Sequence, residues 1–153
     1  MIAEETVIHD SSSQAVTAKT VDYAFEILEA IQKGGYKIAA IANGDSIGSS
    51  NVIASCVLKD YFDAIVISQE IGIEKPTKEI FDAALEKLSS KAENAIMVGN
   101  RIDADVVGAN KLGMKSVWFK WNYCYQETVI YGKERPNFVI KSFPELLGIL
   151  GLS

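Results

Sequence analysis

From residue 36 onward, short apolar runs alternate with longer stretches in which apolar residues recur at helical spacing. The apolar runs cover residues 36–42, 64–68, 95–99 and 116–119, and a shorter fifth run covers residues 138–140. Each run is almost continuously apolar, which is typical of strands that helices cover on both faces. The alternation predicts an α/β fold, a three-layer Rossmann-like parallel sheet with helices on both faces.

The helical stretches lie before, between and after these runs. The first places Val21, Leu28 and Ile31 on one face and ends at Gly34 and Gly35, a typical stop signal. The remaining helices are predicted near residues 49–58, 77–88, 104–112 and 144–150. No repeat or linker divides the chain, so residues 1–153 form a single predicted domain whose first 20 residues are a weakly specified N-terminal segment.

Composition and charge narrow the classes of function. The 153 residues include 15 Lys and Arg against 20 Asp and Glu, a net charge of -5, and the basic residues are scattered along the chain. Nucleic acid is therefore excluded as an expected partner. No segment approaches the roughly 20 apolar residues of a membrane span, and the N-terminus lacks the pattern of a signal peptide. We expect no membrane partner and a cytoplasmic location.

The two cysteines, Cys56 and Cys124, do not form a CxxC motif and have no neighbouring histidine. This spacing indicates neither a zinc site nor a disulfide framework. Two reduced thiols are expected, in agreement with the predicted cytoplasmic location.

Candidate chemistry follows the strands, because ligands of open parallel sheets bind beyond the carboxyl ends of the strands. Asn43 and Gly44 follow the first apolar run, and Asn100 and Asp105 follow the third. Lys75 lies between them, just before Pro76 and a predicted helix. A cation, hard oxygen ligands for a metal and a helix N-terminus together suit a phosphoryl group, although a surface lysine and helix-capping aspartates are the alternative interpretation.

Two segments in this order, Glu74-Lys75-Pro76-Thr77 and the stretch from Gly99 to Asp105, resemble the third and fourth motifs of the haloacid dehalogenase superfamily. The resemblance covers about residues 36–147 and leaves room for essentially no cap. It implies a hydrolase of the phosphatase type that is magnesium-dependent, acts on a small phosphorylated metabolite and forms an aspartyl-phosphate intermediate.

The resemblance also assigns roles. Asp10 takes the position of the catalytic nucleophile, and Lys75 that of the catalytic residue that clamps the phosphate. Substrate binding falls to Lys75 and, through backbone N–H groups, to Asn43 and Gly44. The metal ligands are Asp105, Asn100 and Asp10.

Three positions depart from the family pattern. Ser12 stands where the family has a second aspartate, the general acid and base, and a serine is a poor proton donor. Ala42 replaces a serine or threonine that binds the phosphoryl oxygen, and Asn100 replaces an acidic metal ligand. Weakened phosphatase activity is therefore one prediction, and a catalytically inactive binding or regulatory protein of the same fold is the alternative, so enzymatic activity itself stays open.

Two other folds fit less well. A receiver domain carries its Lys-Pro pair after the last strand, whereas Lys75-Pro76 precedes two further strong apolar runs. A dinucleotide-binding domain needs GxGxxG after its first strand, and this chain has none there. Val7 and Ile8 are the only clearly apolar residues of the expected central strand near Asp10, so its presence in the sheet stays open, as does assembly into a homo-oligomer.

Overall fold

The computed structural model describes residues 2–3, 6–8, 23–44, 59–120 and 132–153. The helix predicted near residues 49–58 lies outside these residues, and so do Asp10 and Ser12. The Lys75 segment and the strands and helices given below fall inside them.

Seven strands form one sheet with the order β4-β3-β2-β1-β5-β6-β7, in which β2 also pairs with β5. Their bounds are β1 Ile2–Ala3, β2 Thr6–Ile8, β3 Ile38–Ala42, β4 Ala64–Ile67, β5 Ala95–Gly99, β6 Lys115–Phe119 and β7 Phe138–Ile140. Six strands run parallel to their neighbours, as predicted. The short β1 differs because it runs antiparallel to β2 and β5.

Strand β2 occupies the centre of the sheet. Val7 pairs with Ala39 of β3 on one side and with Met97 of β5 on the other. The described part of this strand has three residues, Thr6–Ile8, in agreement with a short hydrophobic signal. It lies between β3 and β5, the two strands whose ends carry the candidate site residues.

Most helices lie close to the stretches that the sequence pattern predicts, but some of their bounds differ. They are α1 Ala24–Lys33, α2 Ser68–Ile71, α3 Lys78–Leu88, α4 Val107–Leu112 and α5 Glu145–Leu150. Helix α2 is a single turn that the sequence did not predict, because strand β4 feeds directly into it at Ser68. None of the helices in the described ranges has the length and apolar character that a membrane crossing requires.

The helix predicted over residues 104–112 is two elements. A π-helical turn spans Ile102–Val106, and only then does α4 begin. The wider turn arises because the backbone N–H groups of Asp105 and Val106 both donate to the carbonyl oxygen of Arg101. This wide turn determines the backbone position from which the Asp105 side chain extends.

Two hydrophobic clusters cover the two faces of the sheet. On one face Ile80, Phe81 and Leu88 of α3 pack against Ile41 and Met97 and other residues of β3, β4 and β5. The other face packs against α1 and α5, through residues that include Leu28, Ile31, Val98, Val117 and Leu146. Alternate residues of the same strand enter different clusters, so the predicted three-layer arrangement is confirmed.

Candidate active site

A buried ion pair lies at the carboxyl edge of the sheet. The Nζ atom of Lys75 is 2.8 Å from Oδ1 of Asp105, and the two side chains are 0% and 1% exposed. Lys75 precedes α3 and Asp105 lies in the turn after β5, so the fold brings together two residues 30 positions apart. A solvated surface lysine, the alternative that the sequence left open, does not fit this burial.

Strand β3 supplies further contacts to Lys75. The Nζ atom donates to the backbone carbonyl of Ile41 at 3.2 Å. The peptide bond between Lys75 and Pro76 is cis. The ammonium group therefore lies against the end of β3 and, through Asp105, against the turn after β5.

The loop after β3 is bonded to the segments that follow it. The side-chain amide of Asn43 accepts from the backbone N–H of Lys75 at 2.9 Å and donates to the backbone carbonyl of Lys75 at 3.2 Å. The N–H of Gly44 donates to Oγ of Ser68 at 3.0 Å, and the Ser68 hydroxyl donates to the Gly44 carbonyl at 3.2 Å. The Gly44 N–H, which the sequence assigned to the phosphate, thus has a protein acceptor, and Ser68 is a site-building residue that the sequence analysis missed.

Asp105 is also held through its second carboxylate oxygen. The backbone N–H of Arg101 donates to Oδ2 at 3.1 Å. At Gly99, the last residue of β5, a Cβ atom would lie 2.3 Å from the same oxygen. A glycine that ends a buried strand often marks such a close approach, which is the sequence signal that could have identified this contact.

The turn between Asn100 and Asp103 forms the exposed side of the site. The indole N–H of Trp118 donates to the backbone carbonyl of Asn100 at 3.1 Å. The guanidinium of Arg101 donates to both carboxylate oxygens of Asp103, and this hydrogen bonding is the main cause that raises the pKa of Arg101 above its ordinary value. Asp103 is therefore engaged with Arg101, whereas the buried Asp105 faces Lys75.

The residues that the sequence proposed as metal ligands provide oxygen donors. Asp105 and Asn100 lie at the same turn after β5, and Asp10 lies outside the described residues. In the part of the chain that the structure describes, no group of three or more His, Cys, Asp or Glu is placed to hold a metal ion. One buried carboxylate and one amide suit the hard ion Mg2+ in chemistry but supply little negative charge, so a further carboxylate is needed for a complete site.

The carboxyl edge of this parallel α/β sheet holds a buried lysine, an aspartate and a polar turn, the kinds of group that suit a bound phosphoryl group. The comparisons with known proteins identify the family. The sequence pattern of the haloacid dehalogenase-like hydrolases matches residues 3–119, and this chain belongs to that family. The match starts before β2 and includes the Asn43, Lys75 and Asp105 segments.

Two named relatives are a phosphatase and a nucleotidase. The chain is 38% identical over 132 residues to the glyceraldehyde 3-phosphate phosphatase of Pyrococcus furiosus, an alignment that covers 86% of this chain and 55% of that protein. It is 34% identical over 128 residues to the pyrimidine 5'-nucleotidase YjjG of Escherichia coli K12, covering 83% of this chain and 55% of that protein. The chain thus spans about half the length of these relatives.

Solved structures have the same fold. A haloacid dehalogenase-type phosphatase from Thermococcus onnurineus superposes with a TM-score of 0.77 at 27% identity, covering 87% of this chain and 59% of that one. The hydrolase YfnB of Bacillus subtilis, whose crystal structure contains magnesium, superposes with a TM-score of 0.75 at 24% identity, covering 85% and 55%. The latter supports the fold alone.

Proposed function

We propose that this protein is a magnesium-dependent phosphatase that hydrolyses a small phosphorylated metabolite. The buried contact between Lys75 and Asp105 carries the proposal, because it holds a cation at the carboxyl edge of the haloacid dehalogenase-type sheet. Phosphoryl transfer requires positive charge near the three oxygens of the moving group. The named relatives, which act on phosphate monoesters by their names, support the same class of substrate.

In the proposed reaction the Asp10 carboxylate attacks the phosphorus atom and the ester P–O bond breaks. An aspartyl phosphate forms and the alcohol leaves with the bonding electron pair, taking up a proton. Water then attacks the phosphorus of that intermediate, which releases inorganic phosphate and restores Asp10. Ser12 is a weak proton donor in the first step, so good leaving groups should react fastest.

Lys75 and Asp105 have different electrostatic roles. The Lys75 ammonium stabilises negative charge on the phosphoryl oxygens, and Asp105 orients that ammonium through a buried ion pair. When bound, Mg2+ supplies a second positive charge to the phosphoryl oxygens. Asp10, Asp105 and the Asn100 amide are the residues that would hold the ion.

Reduced activity relative to typical family members belongs to the same proposal. Ala42, at the end of β3, has no hydroxyl to donate to the phosphoryl oxygen, and Asn100 brings no charge to the metal. Both changes remove attraction for an anionic transition state rather than altering the fold. We also propose the cytoplasm as the location, since the spacing of Cys56 and Cys124 indicates no disulfide framework and both are expected to be reduced thiols.

Phosphate release from a substrate panel tests this function. The panel contains glyceraldehyde 3-phosphate, a pyrimidine nucleoside monophosphate and further sugar phosphates, each with Mg2+ or with EDTA. We expect metal-dependent release from at least one compound, and loss of that release in Lys75→Met. A folded protein that releases phosphate from none of these compounds would instead favour the inactive binding protein of the same fold.

A further inference from the structure

We propose that Asn43 is a positioning residue that fixes Lys75 at the phosphate site, a role that rests on the phosphatase function proposed above. The sequence suggested that Asn43 binds substrate through its backbone. The side chain adds a different role, because its amide group bonds to the backbone of Lys75 rather than to another side chain.

The two hydrogen bonds use both polar atoms of the amide. Oδ1 accepts from the Lys75 N–H at 2.9 Å, and Nδ2 donates to the Lys75 carbonyl at 3.2 Å. Such a two-point contact fixes both the distance and the orientation of the Lys75 backbone. An alanine at position 43 can make neither bond.

Asn43 directly follows β3, the strand that also contacts the Lys75 side chain. The Nζ atom donates to the carbonyl of Ile41 at 3.2 Å, two residues before Asn43. The backbone and the ammonium of Lys75 are therefore both held by the end of one buried strand, β3. Groups built on strands are placed more accurately than groups held only by loops.

The absence of a hydroxyl at Ala42 increases the importance of this arrangement. The one phosphate contact that the family pattern places at the end of β3 is missing here, because the alanine side chain has no donor. Phosphate binding then depends more strongly on one correctly placed ammonium. A displacement of Lys75 should weaken phosphate binding even when its ion pair with Asp105 persists.

Hydrogen exchange of the Lys75 backbone amide tests the geometry without any activity. We expect a protected Lys75 amide in the wild-type protein and faster exchange in Asn43→Ala. Asn43→Asp keeps an acceptor oxygen for this amide, so it should restore the protection. An amide that exchanges equally fast in the wild-type protein and in Asn43→Ala would overturn the proposal.

Binding of inorganic phosphate, measured by calorimetry with Mg2+ present, tests the functional part. We expect phosphate affinity to fall about 10-fold in Asn43→Ala, since small misplacements of binding groups are costly. Asn110→Ala is the matched control: the Asn110 side chain also bonds to backbone carbonyls, those of Lys133 and Arg135, but makes no contact with Lys75. Asn110→Ala should lose about as much thermal stability as Asn43→Ala but keep the wild-type affinity for phosphate.

The outcomes separate the two proposals. Phosphate affinity that is unchanged in Asn43→Ala but lost in Lys75→Met would reject the positioning role and leave the phosphatase site intact. Equal losses of affinity in Asn43→Ala and Asn110→Ala would also reject it, because they would indicate a general effect on folding. A wild-type protein that neither binds phosphate nor releases it from substrates would reject the proposed function, and the role of Asn43 with it.

Discussion

The Nζ atom of Lys75 lies 2.8 Å from Oδ1 of Asp105, and neither side chain is more than 1% exposed to solvent. A buried ion pair contributes little net stability over an apolar pair, but removal of one partner leaves an uncompensated charge in the interior. The pair is therefore poorly explained by stability alone. It is well explained by a site that needs a fixed positive charge.

Loss of either partner should destabilise the fold. Lys75→Met removes the charge with a side chain only one atom shorter and leaves the buried Asp105 carboxylate without a neutralising cation, so we expect the free energy of unfolding to fall by about 3–5 kcal/mol. Urea denaturation at neutral pH measures this change. Lys75→Met combined with Asp105→Asn should lose less than the sum of the single changes, because the second substitution removes the stranded charge.

An exposed ion pair is the control for that experiment. Lys78 and Asp82 pair on the surface of α3 with side chains 67% and 43% exposed. Lys78→Met should change the free energy of unfolding by no more than about 0.5 kcal/mol. Similar losses in Lys75→Met and Lys78→Met would contradict the burial of the Lys75 pair.

A methyl group at Gly99 should displace Asp105. The added Cβ atom would lie 2.3 Å from Oδ2 and 2.4 Å from Cγ of that carboxylate, which hydrogen bonds from Lys75 and from the Arg101 N–H hold in place. We expect Gly99→Ala to lower both the melting temperature and the phosphatase activity. Calorimetric unfolding and an activity assay on the same sample measure the two effects.

Gly148 in α5 is the matched site for that substitution. A Cβ atom there would meet nothing within 4 Å. Alanine in place of glycine within a helix stabilises by about 0.5–1 kcal/mol, so Gly148→Ala should raise the melting temperature slightly and leave activity unchanged. A Gly99→Ala protein as stable and active as Gly148→Ala would rule out the close packing of Gly99 against Asp105.

These contacts show which parts of the molecule the sequence could predict. The strands β3 to β6 and helix α3 are predicted well, since their apolar runs and periodicity report burial directly. The ion pair between Lys75 and Asp105 was not predicted: the family resemblance gave the two residues separate roles at one site, and side chains 30 positions apart meet through the topology of the sheet. The π-helical turn at Ile102–Val106 and the single-turn helix at Ser68–Ile71 were missed, since local hydrogen bonding rather than hydrophobic pattern determines them.

A hydroxyl at position 42 should strengthen phosphate binding. Ala42 is the last residue of β3, and a serine there would offer the donor that the family pattern places at this position. We expect Ala42→Ser to bind inorganic phosphate more tightly and to raise kcat/KM. Ala40→Ser, two residues earlier on the same face of the strand and equally buried, should show neither gain.

A carboxylate at position 100 should strengthen metal binding. Asn100→Asp adds one negative charge to the proposed ligands, and charge count is a main determinant of affinity for divalent ions. Calorimetry should show tighter Mg2+ binding in this variant than in the wild-type protein. Asn94→Asp, which makes the same change in charge at the opposite end of β5, should leave Mg2+ affinity unchanged, and equal effects of the two variants would reject Asn100 as a ligand.

Glu145, at the start of α5, gives a pH-dependent prediction away from the site. Hydrogen bonds from the Ser142 hydroxyl and from the backbone N–H groups of Ser142 and Lys141 lower the pKa of Glu145 from its ordinary value. Its contribution to stability is therefore present above the ordinary glutamate pKa and is lost as the pH falls through the lowered pKa. In an NMR titration Ser142→Ala should move this pKa upward, and an unchanged value would contradict the capping contact.

Steady-state hydrolysis of p-nitrophenyl phosphate, with Mg2+ or with EDTA, tests the central claim most directly. This substrate has a good leaving group and so bypasses the weak acid at Ser12. The account predicts Mg2+-dependent turnover by the wild-type protein and its loss in both Asp10→Asn and Lys75→Met. Turnover that survives either substitution, or no turnover by a well-folded wild-type protein, would contradict a phosphatase site built from Asp10, Lys75 and Asp105.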